Sequence, residues 1–282
     1  MNLTMLTDKS VYAKVKVTCY KFLKGMPKMS DIKDAKVKSL YKAIMLLNYF
    51  TPEHPLRSIN ELSELSGLLK STVHNIMSTF SLNGIVVKDT VSGRYCLGSK
   101  IFEYYNTLIS SDSNRPIVKS SMNEISTISG ENVYLAIPSQ LQVMYIDAAY
   151  PYNNFFSRSI IGIKADMYCT AVGKAMLAFL GDDYFDQIVE KGLYPYTPYT
   201  ITNRNDLIAE LEKIRQCGYA VDNMEHEDGI RCVAVPIFNR EDQITAAISI
   251  SGPSPRITDE KILHYSSLLL DAAKDLRSKY NL

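Results

Sequence analysis

The sequence predicts an α+β protein of two domains: an N-terminal winged helix-turn-helix, then a larger domain mixing helices with a mainly antiparallel sheet. Three observations predict it. The order helix, helix–turn–helix, hairpin is written in the periodicity of residues 37–97. Beyond residue 115, runs rich in β-branched and small residues are interspersed with amphipathic helices. The length, 282 residues, suits two domains of ordinary size.

Composition narrows the function classes. A chain 46% hydrophobic and 22% charged is ordinary for a soluble globular protein, so no special class is called for. No apolar run is long enough for a membrane helix, and no basic start leads into an apolar leader, so a cytoplasmic protein is expected. The five cysteines, Cys19, Cys96, Cys169, Cys217 and Cys232, are odd in number and far apart, with no CxxC pair. A disulfide framework and a structural zinc of the usual spacing are thereby disfavoured, and neither metal nor cofactor is expected. The net charge of +1 argues against a strongly basic nucleic-acid binder until it is divided along the chain. Residues 1–98 hold 14 Lys/Arg against 7 Asp/Glu, net +7, and residues 99–282 hold 17 against 23, net −6. A basic first third favours a polyanionic partner.

Residues 1–32 form an extension whose first 30 residues are set apart by Lys9, Lys14, Lys16, Lys21, Lys24 and Lys28 against Asp8. Within it Val11, Ala13, Val15, Val17 and Cys19 alternate with Tyr12, Lys14, Lys16 and Thr18, a strand pattern with no partner strand nearby. A basic arm near DNA and a poorly ordered tail are both open readings. A winged domain is expected over 33–98. Its first helix runs from Val37 with Leu40, Tyr41, Ile44, Leu46 and Leu47 inward, and Thr51-Pro52 should end it. Ser58 is the N-cap of a second helix, with Glu61 completing a capping box, and Gly67 breaks that helix. A third helix starts near Lys70 with Val73, Ile76, Met77 and Phe80 inward and stops at Asn83-Gly84. Ile85–Val87 and Arg94–Leu97 flank a Ser92-Gly93 turn as a hairpin.

The helix-turn-helix spacing is specific. Ser63 lies four residues before Gly67, where the helices cross closely, and Val73 and Ile76 lie six and nine after it, where the second helix buries its inner side. The outer side then shows Lys70, Ser71, Thr72, His74, Asn75 and Ser78, groups suited to base edges and phosphates, with Arg94 on the wing. A plain three-helix cluster with a solvated polar side is the bland alternative.

Val37–Leu40, Leu62–Leu68, Lys70–His74 and the wing run Arg94–Gly98 resemble the N-terminal domain of the IclR family of bacterial transcription regulators. Three blocks downstream resemble it as well. They are Gly218–Asp222 with Glu225 and Gly229–Ile237, then Ala246–Pro253, then Thr170–Ala175. The resemblance covers residues 33–282 and implies a winged helix-turn-helix followed by a GAF-like α+β effector-binding domain. It departs from the family at Asn75, where Arg is common, at Met224, where a second acidic residue is usual, and in the extension.

Residues 99–114 read as a linker helix. Its apolar stripe, Ile101, Phe102, Tyr105 and Leu108, is suited to burial in a partner chain. The effector domain, 115–282, opens on a helix at 116–129 and pairs strands at 132–137 and 143–147. Strands at 231–237 and 244–251 meet at a turn near Asn239, and further helices lie at 206–216 and 259–279. Nucleotide-binding, zinc-protease and nucleophile-elbow motifs are absent, and Gly173-Lys174 lacks the upstream glycine of a P-loop. His226 with Glu225, Glu227 and Asp228 could form a metal or acid–base cluster, but neighbouring loop side chains diverge, so a solvated acidic loop is expected. Cys232 is a candidate nucleophile with no base placed beside it, and a packing role is the commoner one. No catalytic residue is assigned. Ala171, Ser249 and Ser251 leave room beside the sheet, and hydroxyls with backbone N–H groups can hold a carboxylate. From the residues alone tight packing explains them equally. The resemblance implies effector contacts at Ala171, Val172, Asp222, Ile230, Cys232, Ser249 and Ser251.

The expected function is that of a homodimeric or dimer-of-dimers regulator, binding an approximately palindromic double-stranded operator and a small carboxylate effector, with no membrane partner. A protein-interaction module carrying a small-molecule sensor, with no DNA partner, is the alternative.

Overall fold

The structure is a computed structural model describing residue 33 and residues 35–111, 114–152 and 160–279. The basic extension and its alternating segment lie outside the described residues. The chain divides into two compact units, Met1–Asp112 and Ser113–Leu282.

The first unit contains α1 (Lys38–Leu47), α2 (Ile59–Ser66), α3 (Lys70–Leu82), β1 (Val86–Lys88), β2 (Tyr95–Leu97) and α4 (Lys100–Ser110). α1 stops earlier than Thr51-Pro52 suggests. At Asn48 the N–H turns back to the Met45 carbonyl, and the chain tightens so that Tyr49 and Phe50 enter the core. The Tyr49 hydroxyl donates to the Leu65 carbonyl at 3.0 Å, tying that turn to α2.

α2 has the full capping box: Glu61 N–H donates to Ser58 Oγ at 3.2 Å, and Ser58 N–H donates to Glu61 Oε2 at 2.7 Å. Gly67 closes it at φ 70°, a left-handed conformation glycine adopts without side-chain strain. The Ser63 hydroxyl reaches across the turn to the Leu68 carbonyl at 2.6 Å. Leu62, Leu68, Val73, Met77, Val86 and Tyr95 then form one core with Met45 and Leu46. β1 and β2 pair antiparallel, and Arg57 bridges Tyr95 as a further rung. α4 buries none of its residues, and Phe102 is 77% exposed.

The second unit contains α5 (Arg115–Ser129), β3 (Asn132–Ser139), β4 (Gln142–Ala149), β5 (Lys164–Asp166), a 3-10 turn at Met167–Cys169, α6 (Ala171–Leu177), α7 (Asp182–Lys191), α8 (Arg204–Cys217), β6 (Ala220–Asn223), β7 (Ile230–Phe238), β8 (Ile244–Pro253) and α9 (Asp259–Lys279). The sheet order is β5-β4-β3-β8-β7-β6, antiparallel at every step. Alternation along each strand gives two unlike faces. Val133, Leu135, Val233, Val235, Ile248 and Ile250 pack against α5 and α9. Ala136, Ala220, Ala234 and Ala247 lie on the opposite face with α6, α7 and α8. Small side chains there let α6 lie close to the sheet.

Candidate nucleic-acid interface and ligand pocket

α3 presents Ser71, His74, Asn75 and Ser78 at helical spacing, all exposed, with Lys70 exposed at its start and Thr72 half-buried beside Val73. Opposite them Val73 and Met77 are buried. Unlike α2, α3 begins without a side-chain cap, at the exposed Leu69, and its first turn holds no acidic residue. First-turn N–H groups in that state suit a phosphate. Six of the seven sequence-predicted DNA-facing residues therefore lie on one helix.

Arg94 is placed differently from a free contact. Its guanidinium pairs with Glu61, the capping-box residue of α2. That carboxyl is held down to about 2, first by the Ser58 backbone N–H and then by Arg94. Arg94 thus ties the wing to the start of α2. The wing turn is organised by Asp89, whose carboxylate accepts from Val91 N–H and from the Ser92 hydroxyl. Val87, Lys88, Thr90, Val91, Ser92 and Leu97 are exposed on the wing, and the sequence assigned none of them to DNA.

In the second unit the register brings the expected effector residues together. Asp222, Cys232, Ser251 and Asn132 are successive cross-strand partners in one row, and Ala220, Ala234, Ser249 and Tyr134 form the next row on the same face. Ile230 lies one row further out, opposite Pro253. Ala171 and Val172 of α6 pack among the alanines of this face. The seven residues therefore share one sheet face and the helix above it. Cys232 Sγ lies 3.0 Å from Ser251 Oγ, and the Tyr134 and Tyr145 rings meet edge-on at 5.8 Å. α6 reaches this position because residue 173 is glycine. A Cβ there would stand 2.3 Å from the Met167 carbonyl oxygen and 2.4 Å from its Cα.

The loop after β6 corrects the expectation of a solvated acidic loop. Glu227 and Asp228 are exposed, but Glu225 is buried. The cause is Lys174, whose side chain is 0% exposed and whose Nζ bonds Glu225 and lies 3.4 Å from Glu210. Met224, just before, sits at φ 62°, a left-handed position at which polar residues are less strained than Met. Asp222 Oδ1 accepts from the N–H groups of Glu225 at 2.7 Å and His226 at 3.4 Å. Burial, then the nearby Glu225 charge, pushes the Asp222 carboxyl up to about 7. Burial also raises Glu225, against the pull of Lys174, and lowers His226, which leaves that imidazole neutral near pH 7. The Cys232 thiol is pushed up by burial, the opposite of what a nucleophile needs. The sequence reading missed Lys174 and Tyr145 here. A lone lysine in the apolar run Ala171–Leu177 was the available signal for a buried ion pair.

Comparison with known proteins covers both units. Residues 107–278 match the family described as bacterial transcriptional regulator IclR C-terminal, and residues 39–90 match the IclR helix-turn-helix domain. The HTH-type transcriptional regulator XynR of Escherichia coli (strain K12) is 31% identical over 237 residues, 84% of this chain and 94% of XynR. KdgR of the same strain, also an HTH-type transcriptional regulator, is 32% identical over 253 residues, 88% of this chain and 95% of KdgR. Among solved structures, the Thermotoga maritima IclR superposes with TM-score 0.68 at 34% identity, covering 86% of this chain and 99% of that one. At the level of fold, an IclR homolog from Microbacterium hydrocarbonoxydans, complexed with 4-hydroxybenzoate, superposes with TM-score 0.74 at 19% identity, covering 85% and 98%.

Proposed function

The chain belongs to the IclR family of bacterial transcriptional regulators, and from that premise we propose that it controls a catabolic operon in response to a small organic acid. Residues 33–98 are the DNA-binding domain, 99–114 the linker helix and 115–282 the sensor, acting in the cytoplasm. The observation that carries the sensor reading is the shared face on which Asp222, Cys232, Ser249 and Ser251 line up beneath Ala171 and Val172. The homolog from M. hydrocarbonoxydans supports it at fold level, since 4-hydroxybenzoate is a carboxylate. Ser71, Thr72, His74, Asn75 and Ser78 read base edges, Lys70 and the start of α3 take phosphate, and Arg94 acts by holding the wing in place.

The protein works as a homodimer or a dimer of dimers on an approximately palindromic operator. Support comes from the apolar side chains that α4 leaves exposed, Phe102, Tyr104, Tyr105 and Leu108, which suit a second copy. The acid acts by binding one arrangement of the DNA-reading heads more tightly than another, because equal affinity shifts nothing. A coupling of about 1–3 kcal/mol is the usual scale.

Gel shifts with DNA flanking its own gene test the reading. Specific binding should weaken by roughly 0.9 log unit per tenfold salt for each phosphate contact. Equal binding to random DNA overturns it. A thermal-shift screen of small carboxylates tests the sensor, with about 2.7 kcal/mol of stabilisation expected at 100 times Kd.

A further inference from the structure

We propose that the pocket takes up its organic acid together with one proton, shared between the ligand carboxylate and Asp222, so that Asp222 selects a carboxyl group that can share a hydrogen. The proposal rests on reading this face as an acid-binding pocket.

The geometry leads there through a count of charges. Asp222 is buried at the end of the row it forms with Cys232 and Ser251. Both backbone donors fall on its Oδ1, which leaves Oδ2 for an incoming group. The buried cation at this end of the face is Lys174, on α6, and its ammonium is engaged by Glu225 from the β6–β7 loop and by Glu210 from α8, which also lies 3.9 Å from the exposed Lys213. Two positive charges, one of them at the surface, are therefore already set against three carboxyls, and an organic anion brings a fourth.

Among the described residues no other facing group relieves the excess. His226 is kept neutral by burial, and its ring packs on Tyr196 at 5.3 Å. Cys232 on β7, Cys169 on the 3-10 turn and Tyr145 on β4 are all pushed up by burial and stay uncharged. Tyr134 on β3 stays uncharged for the same reason. Glu227 on the loop adds a further negative charge at the surface. Two carboxylates within hydrogen-bond reach in such a place cannot both be ionised, whereas one proton between them makes a short charge-assisted O–H···O bond. Burial raises the Asp222 carboxyl to about 7, so near neutral pH it is poised to accept the proton.

Isothermal titration with pyruvate and with 4-hydroxybenzoate, from about pH 6 to about pH 8.5, tests the proposal. Affinity should be level below about pH 7 and fall about tenfold per pH unit above it, with proton uptake per ligand small at about pH 6 and close to one at about pH 8.5 when two buffers of different ionisation enthalpy are compared. Asp222→Asn keeps a hydrogen donor without a charge, so its affinity should not change with pH. A flat wild-type profile, or a slope that survives Asp222→Asn, overturns the proton and leaves the acid pocket standing. Failure of both acids to bind at every pH overturns the pocket reading and the proposal with it. Carbon-13 NMR of aspartate carboxyls in the ligand-free wild type gives a second measurement, independent of the variant's folding. One aspartate should titrate near pH 7, and its absence overturns the proposal.

Discussion

Replacing Lys174 by Met tests the buried ion cluster directly. The side chain is 0% exposed, and its ammonium bonds Glu225, itself 7% exposed, with Glu210 at 3.4 Å. Met keeps most of the aliphatic stem, so the loss is of charge more than of volume. Glu225 Oε2 already has no hydrogen-bond partner, and the variant would remove the ammonium from Oε1 as well. Removing one partner of a buried pair costs about 3–5 kcal/mol. For a unit the size of 113–282, at about 2–4 °C per kcal/mol, this lowers Tm by roughly 6–20 °C. The pH dependence has a definite sign. Glu225 is raised by burial even when paired, and loss of Lys174 raises it further, so the variant must take up a proton on folding. The cost is full near pH 8 and shrinks as pH falls toward the ordinary carboxyl range. Denaturant unfolding of both proteins at about pH 5 and about pH 8 measures this. Adding Glu225→Gln to Lys174→Met should recover part of the loss. A cost below about 1 kcal/mol at pH 8, or a cost equal at both pH values, refutes the reasoning.

Three further outcomes are expected. Asp222→Asn should stabilise the ligand-free protein at pH 8. The wild-type carboxyl, raised to about 7 in the folded state, makes folding progressively less favourable as pH rises from about 4 to about 7, so the two unfolding free energies should converge toward pH 4. Gly173→Ala should cost at least about 1–3 kcal/mol, because its Cβ would meet backbone atoms of Met167 that cannot swing aside; unchanged unfolding would show that α6 is free to shift. The triple change Ser71→Ala, Thr72→Ala and His74→Ala should abolish operator preference in gel shifts while sedimentation shows an unchanged oligomer, and surviving preference would mean that α3 is not the reading helix.

The winged unit was largely legible because its determinants are local. Ser58 and Glu61 are three residues apart, Gly67 sets its own turn, and the α3 stripe repeats every three or four residues. The long β7–β8 hairpin was legible for the same reason. What escaped is decided over distance. β5 and β6 are three and four residues long, too short to carry a pattern, and exist because a neighbouring strand pairs with them. Glu225 was misplaced because its partner Lys174 is 51 residues away, and the Arg94 ion pair escaped because Glu61 is 33 away. The residues proposed for the pocket were named through family resemblance. By spacing alone Ser249, Ser251 and Cys232 read as packing residues, and a common face emerges only once the register joins three strands.

The alternation of β7 and β8 has a consequence for how such a regulator can change. Cys232 faces the α6 side, proposed for the ligand, while Val233, next to it, is locked into the layer with α5 and α9, and Ser249 stands likewise between Ile248 and Ile250. Point substitutions can therefore explore new chemical preferences on one side of the sheet while the mechanical frame on the other keeps its packing. A single-residue insertion has no such licence, because it would exchange the two sides at once. New ligand preferences are thus open to this domain by exchanging letters in its strands and closed to it by lengthening them.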